Sequence, residues 1–424
     1  MGQFNNEIAL YRRALSKKIQ AAVWNSVPIW SQLQGFVYGK EGAYPRTVPT
    51  GKIAKQTLRP TYKPVEVWTD LQHEGGWEMD MVVHYPLTEK PLYGDRPALG
   101  TGESKKFAYY QALINEVVKV VKVKDGLMGE QAVKNKTNIL QIIKNSKEDL
   151  QDYFLRWTAH AHWDALFRGF SDNILDTKRG GFGAIYPQRS HPNYYVAGQG
   201  KVSFDNDPHA YEVNIYNALQ NLTPNDKLTV AKLEAMVAEA PNLKIRRAVM
   251  GPNGDSFYII IIDNIGAFQL MQDPDWKEIQ MNAAARGEEV NKLFSGRVEG
   301  YMAGAYIIVD ETMPGVTPVV DGSNNLQYLQ YHNDNPLENP VDTATYRHAV
   351  LLGASAIAVA HALPVQFKSE TWEFDRQKED AGIFIAGWNR VDIYDQDGYF
   401  GAKGDFKENV SSMVLAFHGS SIEF

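Results

Sequence analysis

Cysteine is absent from all 424 positions. That excludes disulfides, thiolate metal sites, iron–sulfur ligation and any cysteine nucleophile, and nothing in the chain calls for an oxidising compartment. Long apolar runs are also missing. The longest candidates are Tyr258 to Ile262 and the small-residue stretch 349–365, which holds His361 and Pro364, and neither reaches the length of a membrane span. The start Met1-Gly2-Gln3-Phe4-Asn5-Asn6-Glu7 lacks the basic-then-apolar order of a secretory signal, so the expectation is a chain that is cytosolic when made. Positive charge is not in excess: 43 Lys and Arg face 50 Asp and Glu, a net −7, too acidic for a dedicated nucleic-acid binder. No Gly-x-Ser-x-Gly elbow, Walker loop or dinucleotide fingerprint occurs, and Gly180-Gly181-Phe182-Gly183 has neither the lysine nor the βαβ setting of a phosphate loop.

With 44% hydrophobic and 22% charged residues, the composition is that of a folded globular chain, and the length suits two or three domains. The charge is unevenly placed. Residues 1–64 hold ten basic and two acidic side chains, +8, which leaves −15 on the remainder. A basic arm that meets an acidic surface or a polyanion follows from such a split. Within it Ile8, Tyr11, Leu15, Ile19 and Ala22 recur at spacings of three and four, predicting an amphipathic helix over 6–24 with Arg12, Arg13, Lys17 and Lys18 on its wetter side.

Residues 44–110 are rich in Pro, Gly and Thr with short alternating apolar runs such as Met79-Asp80-Met81-Val82-Val83-His84-Tyr85, and they read as a long hairpin or extended loop. Loops of that length need something to hold them, and a partner subunit is the simplest candidate. Trp68, Trp77, Tyr85 and Tyr93 in this segment fit an interface, where a rigid ring contributes large contact area.

From 137 to 167 one apolar stripe runs through Ile139, Ile143, Leu150, Phe154, Trp157, Ala161 and Ala165, predicting a helix about 45 Å long that ends before Gly169. Mixed strand and helix are expected over 196–216. A helix is expected over 229–240, with Thr229 as N-cap and Pro241 after its end. The run Ser256-Phe257-Tyr258-Ile259-Ile260-Ile261-Ile262-Asp263 predicts a strand buried on both faces at the centre of a sheet. Beyond it the reading is a helix over 275–287, a strand pair over 301–310, a loop-rich tract over 314–340, a small-residue helix over 349–362, and a β-meander over 383–417 with a turn at Asp395-Gln396-Asp397-Gly398.

Candidate chemistry is sparse. His160 and His162 are two apart, so on a helix they face different sides and cannot share one metal ion; the reading is histidines packed at the edge of an aromatic cluster with Trp157 and Trp163. Glu288-Glu289 and Asp310-Glu311 are adjacent pairs, not carboxylates facing each other across a cleft, and they read as a solvated helix end and a strand terminus. Asp321-Gly322-Ser323-Asn324-Asn325 reads as a turn, because the spaced glutamate of a calcium loop is missing. No catalytic residue, cofactor site or metal site is assigned.

The order of basic arm, extended loop, long helix, mixed α/β body and returning strands resembles the major capsid proteins of tailed phages, an α+β architecture known as the Hong Kong 97-type fold. The block Leu293-Phe294-Ser295-Gly296-Arg297-Val298-Glu299-Gly300-Tyr301-Met302-Ala303-Gly304, followed by Ile307-Ile308-Val309, is similar to a block of coat proteins of the coliphage N-four type. Residues 87–103 with Gly94-Asp95 and Gly102-Glu103, residues 349–362, and residues 380–398 resemble that family's extended loop, small-residue helix and closing strands. The resemblance implies an N-terminal arm over 1–45, an extended loop over 46–110, a peripheral domain with its spine helix over 111–228, an axial domain over 229–345, and return strands of the peripheral domain over 346–424. It implies a structural protein of the virion, not an enzyme, that forms hexamers and pentamers of an icosahedral head around double-stranded DNA and is made in the host cytoplasm. Arg12, Arg13, Lys17, Lys18 and Trp24 on the arm, and Trp77, Tyr85, Tyr93 and Arg96 on the loop, are the expected subunit contacts. Implied partners are copies of the chain, a separate scaffolding protein, a portal, possible decoration protein, and packaged DNA through non-specific contact. An encapsulin-like compartment shell shares the fold, and a carbohydrate-active enzyme is the reading from a different class, resting on aromatic content and acidity alone.

Overall fold

The computed structural model describes residues 28–37, 62–68, 78–84, 107–123, 138–176, 190–205, 207–249, 256–284, 300–320, 327–331, 345–372, 377–394 and 407–419. Among these, one helix dominates. It spans Asn138–Arg168, 31 residues, and lays Leu150, Phe154, Ala161 and Ala165 into the core. It stops where the stripe does: Gly169 takes φ 92° and its N–H bonds the Ala165 carbonyl at 3.0 Å, the left-handed close that glycine adopts without strain. Arg168, in the last turn, pairs with Asp172 at 2.8 Å and complements the negative end of the helix.

This spine crosses a five-stranded sheet whose order is Gln34–Val37, Val65–Trp68, Ile357–Trp372, Gln377–Arg390, Asn115–Val123. Aromatic rings fill the seam, with Phe154 edge-on to Phe384 at 5.2 Å and Trp157 edge-on to Trp388 at 5.3 Å. Gly382 makes the approach possible, because a Cβ there would lie 2.4 Å from the Phe154 ring. Val65–Trp68, read from the sequence as part of the extended loop, is instead a fully buried strand pairing in parallel with both neighbours. A four-residue strand buried on both faces has no alternation to betray it.

A second sheet runs Gly300–Met302, Ala305–Val309, Ser256–Ile262, Tyr346–Leu352, Ser412–His418, Tyr194–Val196, Gly200–Lys201. As the isoleucine run requires, Ser256–Ile262 is central, flanked by a parallel and an antiparallel partner, and Ile259 to Ile262 are at most 1% exposed. Helices Val230–Glu239 and Asn264–Gln272 contribute Leu233, Met236 and Leu270 to the same core cluster. The first of these is capped from outside: Thr229 makes no side-chain cap bond, and the Val230 N–H donates to Asp273 Oδ2 at 2.8 Å. A third sheet joins Lys407–Glu408, Ile393–Tyr394, Phe107–Leu113 and Glu78–His84. In it Glu78–His84, in the middle of the segment read as a long hairpin or extended loop over 44–110, pairs antiparallel with Phe107–Leu113, which runs past its end.

Three expectations are corrected. Residues 349–362 are not a helix: Tyr346–Leu352 and Ile357–Trp372 are strands in different sheets, joined by a tight turn at Gly353. A Cβ on Gly353 would sit 2.3 Å from the Arg246 carbonyl oxygen, so its smallness serves a turn and not a helix contact. The tract 383–417 forms strands but no meander, because Gln377–Arg390, Ile393–Tyr394 and Ser412–His418 belong to three separate sheets; the turn at 395–398 lies outside the described residues. The loop-rich tract 314–340 contains an antiparallel pair, Val316–Val320 with Gln327–Tyr331. Tyr346–Leu352 and Ser412–His418 pair beside Ser256–Ile262, so this sheet holds strands from both sides of 345/346.

Candidate assembly surfaces

None of the nine residues expected at subunit contacts falls in the described part of the chain: Arg12, Arg13, Lys17, Lys18, Trp24, Trp77, Tyr85, Tyr93 and Arg96 all lie outside it, as does Glu288-Glu289. Trp68, grouped with the loop aromatics, is 7% exposed and packs with Tyr110, Ala358 and Val391, so its ring serves this subunit's own core. The structure therefore brings together different residues.

The first group is the root of the N-terminal segment. Short helix Pro28–Leu33 buries Trp30 completely, with its ring stacked on His162 at 4.5 Å and edge-on to Trp163 at 5.0 Å. His162 lies 2.6 Å from the Thr158 carbonyl through Nδ1, while Trp388 Nε1–H donates to its Nε2 at 3.3 Å. An indole only donates and a carbonyl only accepts, so this geometry assigns the neutral tautomer with the proton on Nδ1. His162 is thus a packed structural histidine, as its spacing from His160 implied. Sequence reasoning placed the histidine but missed Trp30, whose only signal is a lone tryptophan in a short apolar run.

Burial pushes His162, His160 and His361 from 6.5 down to about 4. His191 is driven well below its ordinary value by burial first and the Arg390 charge second. A histidine whose folded-state pKa is depressed binds its proton more readily when unfolded. These groups therefore contribute stability that is present above about pH 6.5 and is lost as pH falls toward 4. Buried Asp310 and Glu212, raised by desolvation, act in the opposite sense near the bottom of that window. The urea midpoint is expected to fall steadily from pH 7 to pH 4. A His162→Phe variant, which keeps the stack without the titration, is expected to show a shallower slope, and an unchanged slope would remove His162 from the account.

A second buried group ties the end of the spine to the returning strands. Arg390 Nε lies 2.9 and 3.0 Å from the two carboxylate oxygens of Asp392, its Nη1 donates to the Leu166 carbonyl at 2.8 Å, and Asn409 Nδ2 bonds Asp392 Oδ1 at 3.2 Å. Beside it His191 meets Ser412 Oγ at 2.9 Å, and Asn193 Nδ2 bonds the Asn409 carbonyl at 2.6 Å. These bonds tie Leu166 near the end of the spine to residues 191–193, 390–392 and 409–412.

Asp310 accepts from the Thr312 N–H at 2.9 Å and its hydroxyl at 2.8 Å, which is the work of a strand terminus. Among the described residues no group of three or more His, Asp or Glu is placed to hold a metal ion, and no helix is long and apolar enough to cross a membrane. What the outer surface offers is contact area. Edge strand Asn115–Val123 points Val117 inward and leaves Val118 and Val120 each 48% exposed, next to the Lys122–Glu379 pair at 3.6 Å. Among the described residues no strand pairs with its outer edge, and sheet edges flanked by exposed apolar side chains are where chains add to one another.

The sequence profile of the family described as phage capsid protein matches residues 47–408. No curated protein sequence matches the chain. Among solved structures, the capsid of Ralstonia phage GP4 is similar with a TM-score of 0.56 at 16% identity, over 91% of this chain and 99% of that one. The cyanophage Pam1 capsid asymmetric unit has a TM-score of 0.57 at 14% identity, over 86% and 91%. The acidic stable capsid of Helicobacter pylori bacteriophage KHP30 has 0.54 at 12%, over 86% and 93%. These likenesses give the fold, the Hong Kong 97-type α+β fold that the sequence resemblance implied. With a spine helix across one sheet, an isoleucine strand at the centre of another, and a profile match over most of its length, the chain belongs to the phage capsid protein family.

Proposed function

We propose that the chain is the major capsid protein of a tailed phage, assembling as hexamers and pentamers into an icosahedral head that encloses double-stranded DNA. The single observation that supports this most is the family match over residues 47–408 on a fold shared with phage capsids. It works by contact: a rigid body of two large sheets pinned by one spine carries surface segments that engage neighbours, and no step of bond chemistry is required of it. Residues 1–45 serve as an arm and 46–110, apart from the buried strand Val65–Trp68, as a loop over the next subunit. Arm residues Arg12, Arg13, Lys17, Lys18 and Trp24, and loop residues Trp77, Tyr85, Tyr93 and Arg96, would make those contacts through burial and charge matching. The +8 of residues 1–64 against −15 elsewhere supports an arm that reaches an acidic neighbour. A separate scaffolding protein, a portal, a decoration protein and non-specific contact with packaged DNA complete the expected partners, and synthesis takes place in the host cytoplasm.

Deleting residues 1–18 tests the arm. The truncated chain is expected to remain folded, with an unchanged thermal midpoint, and to give shells in sedimentation at a small fraction of the full-length yield. Full yield of normal shells from the deletion would sink the arm's role.

A further inference from the structure

One corner of the molecule gathers four segments that are far apart in sequence. The Val249 N–H bonds the Tyr62 carbonyl at 2.9 Å, the Ser355 N–H bonds the Lys63 carbonyl at 2.8 Å, and the Ala354 N–H bonds the Arg246 carbonyl at 2.9 Å. Across the short pair Ala248–Val249 with Ser256–Phe257, the Phe257 ring meets Tyr301 edge-on at 6.0 Å. Arg247 lies over the Tyr258 ring at 5.5 Å, and its Nη2 would be 3.8 Å from a Cβ on Gly304.

Two independent features mark this corner. Its surface is basic and aromatic: Lys244, Arg246 and Arg247 are exposed, Lys63 is half-exposed, Tyr62 is 42% exposed and Tyr301 53%. Among the described residues of 62–68, 244–249, 256–258, 301–304 and 353–355, the one carboxylate is Glu66, 2% exposed and bonded to Ser355 Oγ at 2.7 Å beneath the surface. Backbone strain also concentrates here. Among the described residues four non-glycine residues have positive φ, and all four belong to this corner: Tyr62 at 56°, Lys244 at 59°, Ala303 at 48° and Ser355 at 57°. Left-handed backbone at residues with a Cβ persists only where the surroundings enforce it, and it gathers at sites of function. Tyr62, Lys244 and Ala303 point none of their side chains into the core, and Ser355 holds Glu66 beneath the surface, so the strained turns present the corner to solvent.

We infer that this corner is a docking surface for a second copy of the chain, through charge complementarity. Removing its four positive charges from the net −7 leaves −11 on the rest of the molecule, so the average surface of a neighbour is acidic. The two exposed tyrosines supply apolar area between the charges, the mix of aromatic rings and arginine found at the centres of protein interfaces. An interface between this basic patch and a different, acidic patch is heterologous, the kind that builds rings and lattices rather than closed pairs. Double-stranded DNA is the other polyanion within reach of a capsid protein, but it would face an acidic body around the patch. The inference rests on the reading of the chain as a coat subunit and names one of its contacts.

The test is assembly of the full chain with Arg246→Glu and Arg247→Glu together, beside Arg246→Lys with Arg247→Lys. Shell yield is read by sedimentation and folding by thermal melt. The glutamate pair is expected to lower yield at least tenfold with little change in melting, and the lysine pair to retain most of it. If the glutamate pair fails to fold, Arg246→Gln with Arg247→Gln is scored by the same measures. Normal yield from the charge-removed variant overturns the inference. Normal yield with loss of double-stranded DNA retention assigns the corner to nucleic acid and overturns it as well. A wild-type chain that never forms shells, alone or in phage lysate, overturns instead the coat reading on which the inference stands.

Discussion

Arg390→Ala is expected to destabilise the subunit by about 3–5 kcal/mol, the cost of leaving a buried carboxylate without its partner. Arg390 is 2% exposed and Asp392 7%, and the guanidinium donates to both Asp392 oxygens and to the Leu166 carbonyl in the last turn of the spine helix. Alanine would take the guanidinium away from both Asp392 oxygens and from the Leu166 carbonyl at once. The sign of the effect depends on removing one partner alone. Replacing the pair together, Arg390→Met with Asp392→Leu, removes both charges and is expected to cost clearly less. Urea unfolding followed by tryptophan fluorescence reads both. Equal losses from the single and double variants would mean that the carbonyl and amide bonds, not the ion pair, dominate the joint.

Trp30→Ala is expected to cost about 3–5 kcal/mol as well, from lost burial and the cavity left between His162 and Trp163. Its second consequence separates it from an ordinary core truncation. Trp30 fastens the segment that continues into Gln34–Val37, the first strand of the spine-side sheet, so its loss should free the edge pairing with Val65–Trp68. Hydrogen exchange, corrected for intrinsic rates, is expected to show protection falling first in 28–37 while Ser256–Ile262 stays protected. Uniform loss across the chain would show that Trp30 is only one more core residue.

The spine helix was legible because apolar residues recur at helical spacing along it, with Leu150 and Phe154 buried between exposed Asp149, Asp152 and Arg156, although 158–167 is buried on most sides. The isoleucine strand was legible because β-branched residues in an unbroken run suit a strand covered on both sides. The same burial on both sides hid Tyr346–Leu352 and the first five residues of Ile357–Trp372, where small residues such as Ala349, Ala358 and Ala360 pack so tightly that composition imitates a helix. Tail strands were visible as strands, but their sheets are set by pairings at long range, such as Leu351 with Ile260, that local spacing does not encode. The basic corner was invisible for the same reason. Tyr62, Arg246, Tyr301 and Ser355 share no motif, and only the folded turns bring them to one surface.

Negative-stain electron microscopy of the purified full-length chain, after size-exclusion chromatography, tests the central claim most directly. The account predicts uniform hollow shells or rings of five and six subunits. A chain that stays monomeric near 47.7 kDa and is absent from purified virions would contradict it.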